Sequence, residues 1–388
     1  MHIAVNAHLL SPVGGYRQAG VSGYVEHLLR HMIRLNGVSR WTVYAAPGAA
    51  PDRVGATGRD VRWRQSRLPT NGPSARILWE QFAAPGLTLL DRPDVLFCPL
   101  NVVPLLAACP TVVTVHDLAF LRFKLHRPSR RNYLTAMTRI SVRRAAHVIT
   151  VSEFTRQEVI DLLGVNPASV TAVPNGYDER LSPLPPATAE AFRREKQLPP
   201  EFLLFIGTLE PRKNLPTLLR AYAAVRDRVH MPLLIGGGKG WWFEEVFDLV
   251  KRLRIEDRVQ FLGFVLAEEL PLYYATATAL IYPSLYEGFG LPPLEAMASG
   301  LPVITSDAGA IQEVVADAAL VIPALDVAAL SEALLRITSD ANLRARFRGL
   351  GLVRARQFSW ERAAERTLGI LTAVASDSRP PRHRAPAS

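Results

Sequence analysis

Short apolar runs alternate with helical patterns along most of this chain. In the first half they fall at 3–7, 41–46, 95–98, 112–115, 148–151 and 170–173, and each predicts a strand. Between Gly20 and Asn36, the residues Val21, Val25, Leu28, Leu29, Met32 and Ile33 recur at helical spacing. The stretch 180–200, rich in proline and charge, then reads as an interdomain linker. After it the alternation restarts, with strands expected at 202–206, 233–235, 259–262, 280–282, 303–305 and 320–322. Strands alternating with helices argue for parallel sheets covered on both faces. The expected fold class is α/β: two Rossmann-like doubly wound domains facing across a cleft at the carboxyl ends of their strands, where such sheets bind ligands.

A chain of 388 residues has room for two ordinary cores. No window reaches the roughly 18 unbroken apolar residues of a membrane span, and the chain enters a strand at once, so neither a span nor a signal peptide is expected. Cys98 and Cys109 are too few for a disulfide framework and lack metal-ligand spacing, which suits reduced cysteines in the cytoplasm.

Charge changes the picture more. The formal net charge is +10, and no acidic residue occurs between Asp117 and Glu153. That stretch holds Arg122, Lys124, Arg127, Arg130, Arg131, Arg139, Arg143 and Arg144. No helix-turn-helix, zinc finger or aromatic RNA-binding motif accompanies them, so nucleic acid is not an expected partner. A patch meeting an anionic membrane or a phosphorylated acceptor fits better, and an arginine-rich solvated helix fits as well. Apolar residues such as Leu118, Phe120 and Ile140 are expected to be buried there.

The richest chemistry lies between Tyr282 and Asp307. Glu287 and Glu295 flank a Gly-Phe-Gly turn and the pair Pro292-Pro293, which suits the first turn of a helix. Glu287 then lies in the loop before that helix and Glu295 in its first turns. Gly288 and Gly290 allow amides to approach an anion at the helix N-terminus. One segment thereby offers a carboxylate for sugar hydroxyls, an amide nest for phosphate and a carboxylate for ribose, which points to a nucleotide-sugar enzyme. Arg212 and Lys213 precede a helix opening at Asn214 and could clamp a pyrophosphate, although such a pair alone also reads as solvated surface. Gly236-Gly237-Gly238-Lys239-Gly240 is neither a dinucleotide motif nor a P-loop, because Trp241 replaces the third spaced glycine and Lys239 is followed by glycine. His116 ends a strand, and Asp117 after it could serve as a helix cap.

The segment Glu287 to Glu295 resembles the E-x7-E signature of retaining glycosyltransferases of family 4, which have the GT-B fold. Phe205-Ile206-Gly207-Thr208-Leu209-Glu210-Pro211-Arg212-Lys213-Asn214, Gly238-Lys239-Gly240-Trp241, Val173-Pro174-Asn175-Gly176 and Phe358-Ser359-Trp360-Glu361-Arg362 agree, in order. The resemblance covers nearly the whole chain and is more specific in its second half.

It implies an acceptor-side domain over 1–182, a nucleotide-sugar-binding domain over 183–358 and a helix over 359–375 crossing back to the first domain; beyond it, the Pro- and Arg-rich composition of 376–388 reads as a disordered tail. The resemblance implies that Glu287, His116, Lys213 and Arg212 are catalytic, with His116 touching the transferred sugar. Gly207, Arg212, Lys213, Gly288, Phe289, Gly290, Leu291 and Glu295 would bind the donor. In the first domain Gly20 is favoured over Gly14-Gly15 for the phosphate-facing loop. No metal or other cofactor is expected: no Asp-x-Asp pair occurs, and Arg212, Lys213 and a helix N-terminus would neutralise the leaving group instead.

The expected activity is retaining, metal-independent transfer of a hexose from a nucleotide-diphosphate sugar to a hydroxyl of a glycan, glycolipid or other acceptor. The motifs resemble the mannosyltransferase-like branch, making GDP-mannose the first donor expected. The expected location is cytoplasmic, with peripheral attachment to the inner face of the membrane. An inactive sugar-nucleotide-binding module and a nucleotide-sugar epimerase of the same fold are the alternatives; donor hydrolysis or transfer separates them from a transferase.

Overall fold

The structure, a computed structural model, describes residues 1–10, 20–35, 40–55, 60–70, 72–123, 128–238, 240 and 244–377. The chain divides into two compact units. The first is Met1–Pro174 joined by the chain from Trp360 onward, and the second is Asn175–Ser359. The division thus falls at Pro174, ahead of the expected boundary at 182.

The first unit carries β1 (His2–Ala7), β2 (Arg40–Ala45), β3 (Val61–Gln65), β4 (Val95–Cys98), β5 (Thr111–Val115), β6 (His147–Thr150) and β7 (Val170–Ala172). They form one parallel sheet in the order β3-β2-β1-β4-β5-β6-β7. Helices cover both faces of a parallel sheet, so β1, β4 and β5 are buried throughout, which explains why apolar residues predominate in them with no polar face. β3 is the strand that hydropathy misses. It lies at the sheet edge with partly exposed residues, and Arg62 and Arg64 interrupt its apolar positions.

The helix Val21–Leu35 packs against the closing helix Trp360–Asp377: Trp360 stacks on His27 at 5.4 Å and meets Tyr24 edge-on at 5.7 Å. Residues 376 and 377, expected in a disordered tail, are the last turn of this helix, and the rest of that expectation, 378–388, lies outside the described residues.

The second unit repeats the plan with β8 (Leu203–Ile206), β9 (Leu233–Gly236), β10 (Val259–Gly263), β11 (Ala279–Tyr282), β12 (Val303–Ser306) and β13 (Leu320–Ile322). The parallel order is β10-β9-β8-β11-β12-β13. Its strand order reverses between β8 and β11, the position where open α/β sheets gather ligands at their carboxyl ends. The expected linker over 180–200 is in part a helix, Pro186–Glu195, whose Phe192 meets Tyr273 edge-on at 5.0 Å. Proline there opens the helix at its first turn instead of breaking it.

Candidate active site

Two loops leave the second sheet side by side, one after β8 and one after β11. The first makes a single helical turn at Pro211–Lys213 and reverses at Asn214, which adopts φ 58°. Asn214 is held there because its Nδ2 donates to the Pro283 carbonyl at 2.9 Å and the Ala324 carbonyl at 2.6 Å. The second loop is stitched to the first: the Leu285 amide donates to the Arg212 carbonyl at 2.7 Å, and Ser284 Oγ lies 3.0 Å from the same carbonyl.

Two glycines let neighbouring backbone close in. A Cβ on Gly237 would lie 1.9 Å from the Gly207 carbonyl oxygen, so the loop after β9 touches the loop after β8. Gly309, at φ 63°, backs directly onto Glu287, where a Cβ would sit 2.5 Å from the Glu287 carbonyl oxygen. Next to it the Ala310 amide donates to that same oxygen at 3.0 Å.

This stitching gathers Arg212, Lys213, Tyr282, Ser284 and Glu287 into one cluster, within which Lys213, Tyr282, Ser284 and Glu287 are buried. Glu287 Oε1 accepts from Lys213 Nζ at 2.5 Å, Ser284 Oγ at 2.7 Å and the Tyr282 hydroxyl at 2.9 Å. Glu287 Oε2 accepts from Arg212 NH1 at 3.1 Å. Arg212 is itself tied to Glu210, its NH2 lying 2.8 Å from Oε1. Burial opposes the Glu287 charge, yet Arg212 and Lys213, with hydrogen bonds from Lys213 and Ser284, overcome it and hold the carboxyl at about 2. Burial and Arg212 pull Lys213 below the ordinary lysine range while Glu287 pulls it back. Tyr282 is pushed well above the ordinary tyrosine range by burial and by Glu287, so it remains a donor.

Glu295 has a different environment. It stands on the helix Leu291–Ala298, whose first turn holds Pro292 and Pro293 as expected. The Tyr274 hydroxyl donates to Glu295 Oε2 at 3.0 Å. Burial raises this carboxyl to about 7, against the Tyr274 hydrogen bond and with the help of Asp178. Gly288 and Gly290 are buried in the turn between the two glutamates, Leu291 is half-buried, and Phe289 packs edge-on to Phe358 at 5.8 Å.

Gly20 and His116 lie in the first unit. Gly20 is exposed and immediately precedes the helix Val21–Leu35, whereas Gly14 and Gly15 lie outside the described residues. His116 Nε2 donates to the Pro99 carbonyl at 2.8 Å, and its ring meets Tyr24 edge-on at 4.5 Å. Burial lowers its pKa, against the Pro99 hydrogen bond and Asp117, so the ring is neutral with Nδ1 left as an acceptor. Asp117 is not the cap: Leu118 holds that position before the short helix Ala119–Arg122, and Asp117 Oδ1 accepts from the Ala119 amide at 3.0 Å in the turn ahead of it. The glycine turn after β9 is described at Gly236, Gly237, Gly238 and Gly240, while Lys239 and Trp241 fall outside the described residues. Among the described residues no three His, Cys, Asp or Glu side chains come together in a way that could hold a metal ion.

Sequence reasoning did not single out Tyr282, Ser284, Glu210, Tyr274 or Asn214. The signal for Tyr282 and Ser284 was their position at the end of β11, immediately before Glu287. Tyr274 gave none, since it reaches Glu295 from a separate helix, Leu270–Thr276.

Residues 19–181 match the family described as Glycosyltransferase Family 4, and residues 188–350 match that described as Glycosyl transferases group 1. The chain is 36% identical to O-antigen chain mannosyltransferase B of Escherichia coli over 261 residues, 66% of this chain and 68% of that one. It is 30% identical to O-antigen chain mannosyltransferase RfbU of Salmonella typhimurium over 211 residues, 54% of this chain and 55% of that one. Among solved structures, sucrose-phosphate synthase from Thermosynechococcus elongatus aligns with 97% of this chain and 100% of its own at TM-score 0.78 and 22% identity. Anabaena HepE in complex with UDP and glucose aligns with 96% of this chain and 99% of its own at TM-score 0.74 and 18% identity. At such identities the structural likeness speaks for the fold alone. With both halves matched and a relative covered over two thirds of its length, the chain belongs to the family-4 glycosyltransferases and is a glycosyltransferase of the GT-B fold.

Proposed function

We propose that this glycosyltransferase moves mannose from a nucleotide-diphosphate donor, GDP-mannose first, to a hydroxyl of a glycan, glycolipid or polysaccharide acceptor. Transfer would retain the anomeric configuration and need no divalent metal. The observation that carries this reading is the Arg212–Lys213–Glu287 cluster at the reversal of strand order in the second sheet. The choice of mannose rests on the two O-antigen chain mannosyltransferases, whose names supply the sugar and the polysaccharide acceptor class.

In this reading the bond from the sugar C1 to the β-phosphate oxygen breaks as C1 bonds to the acceptor oxygen on the same face. The acceptor proton passes to the departing phosphate oxygen. Arg212 and Lys213 neutralise the diphosphate, assisted by amides near Gly288 and Gly290 at a helix N-terminus. Both cations already face carboxylates, so the diphosphate shares them with Glu287, which couples the sugar side of the site to the phosphate side. A carboxylate has about four acceptor positions, roughly two per oxygen. Glu287 Oε1 meets three donors and Oε2 one, so Oε2 is the oxygen left for a sugar hydroxyl. Glu295 takes the ribose hydroxyls, while Gly207, Phe289 and Leu291 line the donor. In the first unit, His116, through Nδ1, is the residue proposed to serve a sugar hydroxyl, and Gly20 the one proposed to serve the phosphates.

The test is transfer from labelled GDP-mannose, UDP-glucose and UDP-galactose to a lipid-linked oligosaccharide, with and without chelator, the product anomer being read by NMR. The proposal expects mannose transfer with retained configuration that the chelator leaves intact. An inverted product, strict dependence on Mg²⁺ or Mn²⁺, or preference for a UDP-sugar would each overturn the corresponding part.

A further inference from the structure

The helical run 73–91 of the first unit sets Trp79 and Ala84 in the core yet also exposes a row of large apolar side chains. It joins Pro73–Leu78, a π-helical turn at Trp79–Ala83, and Ala84–Asp91. Its buried face carries the run's only acids. Glu80 accepts from Asn6 Nδ2 at 3.3 Å, and Asp91 accepts from the Tyr44 hydroxyl at 3.0 Å and Arg64 NH2 at 2.5 Å. Its outer face is apolar: Leu78 is 54% exposed, Phe82 78%, Leu89 64% and Leu90 69%.

Leu106, 72% exposed, extends this face. The loop bearing it is pinned to the run, because the Leu105 amide donates to Gln81 Oε1 at 3.2 Å and the Ala108 amide to Thr88 Oγ1 at 3.0 Å.

A helix on a globular surface normally turns its apolar stripe to the core, and contiguous exposed apolar residues mark an interaction surface. The charges beside this one identify its partner. Arg92 follows the run and is exposed. Arg144 is exposed on the helix Pro128–Arg144 and reaches the same edge, its Nε donating to the Leu105 carbonyl at 2.9 Å. Ile140, one turn before Arg144, is 45% exposed instead of buried as hydropathy predicts. A second copy of a chain with net charge +10 would bring like charges together here, whereas an anionic lipid surface accepts both the cations and the apolar side chains.

We propose that the face formed by 73–91 and Leu106 is where this protein lies on an anionic bilayer. Phe82 and the leucines enter the headgroup region, and Arg92 and Arg144 meet lipid phosphates. This moves the attachment surface away from the acid-free stretch 118–152 as a whole. Part of that stretch is engaged within the protein: Arg122 pairs with Glu158 at 2.5 Å, and Arg143 donates to the Leu163 carbonyl. Lys124 and Arg127 lie outside the described residues, as does the Arg130 side chain.

The experiment is co-sedimentation of the full chain with phosphatidylglycerol/phosphatidylcholine vesicles and with pure phosphatidylcholine, at low and high salt. The wild type should bind the anionic vesicles, more weakly at high salt. Leu78→Ser/Phe82→Ser/Leu89→Ser should lower the partition coefficient about tenfold or more at either salt without lowering the melting temperature, because these side chains are exposed. Phe82→Ser alone should show a smaller loss in the same direction, which covers the case of a triple variant that folds poorly. Arg92→Ser/Arg144→Ser should erase the preference for anionic over neutral vesicles. A wild type that ignores vesicles, serine variants that bind like wild type, or a dimer in sedimentation velocity that Phe82→Ser dissolves would overturn the proposal.

Discussion

Lys213 Nζ and Glu287 Oε1 lie 2.5 Å apart, buried, at the junction of two loops that are 74 residues apart in the chain. Neither charge can be removed without leaving the other buried, so the role proposed for this pair in transfer is tied to stability.

Glu287→Gln should cut transfer by on the order of a hundredfold or more, since a preorganised charge beside the sugar is lost. It should also destabilise the fold by roughly 3 kcal/mol, because Lys213 and Arg212 lose their counter-charge. Nucleoside-diphosphate affinity should not fall, as both cations remain. Calorimetric titration and thermal melting of the same preparation check all three; a large loss of diphosphate affinity would put Glu287 in another role.

Lys213→Met should lose about 2–4 kcal/mol of transition-state stabilisation in kcat/KM. The Lys213→Met/Glu287→Gln double variant should be less destabilised than the sum of the singles by on the order of 1 kcal/mol or more. Additive melting shifts would show that the two side chains are not energetically linked.

Glu295 is held at about 7 by burial, against the Tyr274 hydrogen bond. Its ionised form accepts hydroxyls on both oxygens, so nucleotide affinity should weaken as pH falls through 7 and level off well above it. Glu295→Gln should bind weakly with little pH dependence over that window. Isothermal titration between about pH 5.5 and 8.5 reads the difference, and an unchanged slope in the variant would remove Glu295 from ribose recognition.

Glu80 in the first unit is also raised to about 7, by burial first, against Arg76 and the Asn6 hydrogen bond. Its folded value lies above the unfolded value of about 4.3. Its stabilising contribution is therefore complete below that lower value and is lost as pH rises through 7. Glu287 runs the other way, contributing above about 4.3 and losing its contribution as pH falls toward 2. Glu80→Gln should therefore gain on wild type in melting temperature as pH rises from about 5 to 8, by at most about 3 kcal/mol in stability. Parallel melting curves across that range would mean that Glu80 is not protonated in the fold.

Gly309→Ala should force the backbone of Glu287 to move, costing about 1–3 kcal/mol and reducing transfer at least tenfold. Gly349→Ala is the matched control. Gly349 lies in the helix Ala341–Ala355 with open space around its Cβ position, and alanine there should stabilise by about 0.5–1 kcal/mol with activity unchanged. Equal effects of the two changes on activity would detach Gly309 from the site.

The sequence alone determined the repeated strand–helix plan, because strands buried on both faces leave predominantly apolar runs that need no partner to be recognised. It also made Glu287, Glu295, Arg212 and Lys213 candidates, since glycines and prolines around them set the backbone locally. It did not reveal β3, whose edge position permits Arg62 and Arg64, nor the helix Pro186–Glu195, whose proline-rich approach resembles a linker. The outward apolar face of 73–91 was hidden for a related reason: hydropathy reports that a helix has two faces but not which one meets the sheet. Only the tertiary structure decided that Glu287 is clamped by both cations, with one oxygen three times occupied and the other nearly free. That depends on β8 and β11 being neighbours, which brings together side chains far apart in the chain. No local pattern of residues encodes such a meeting.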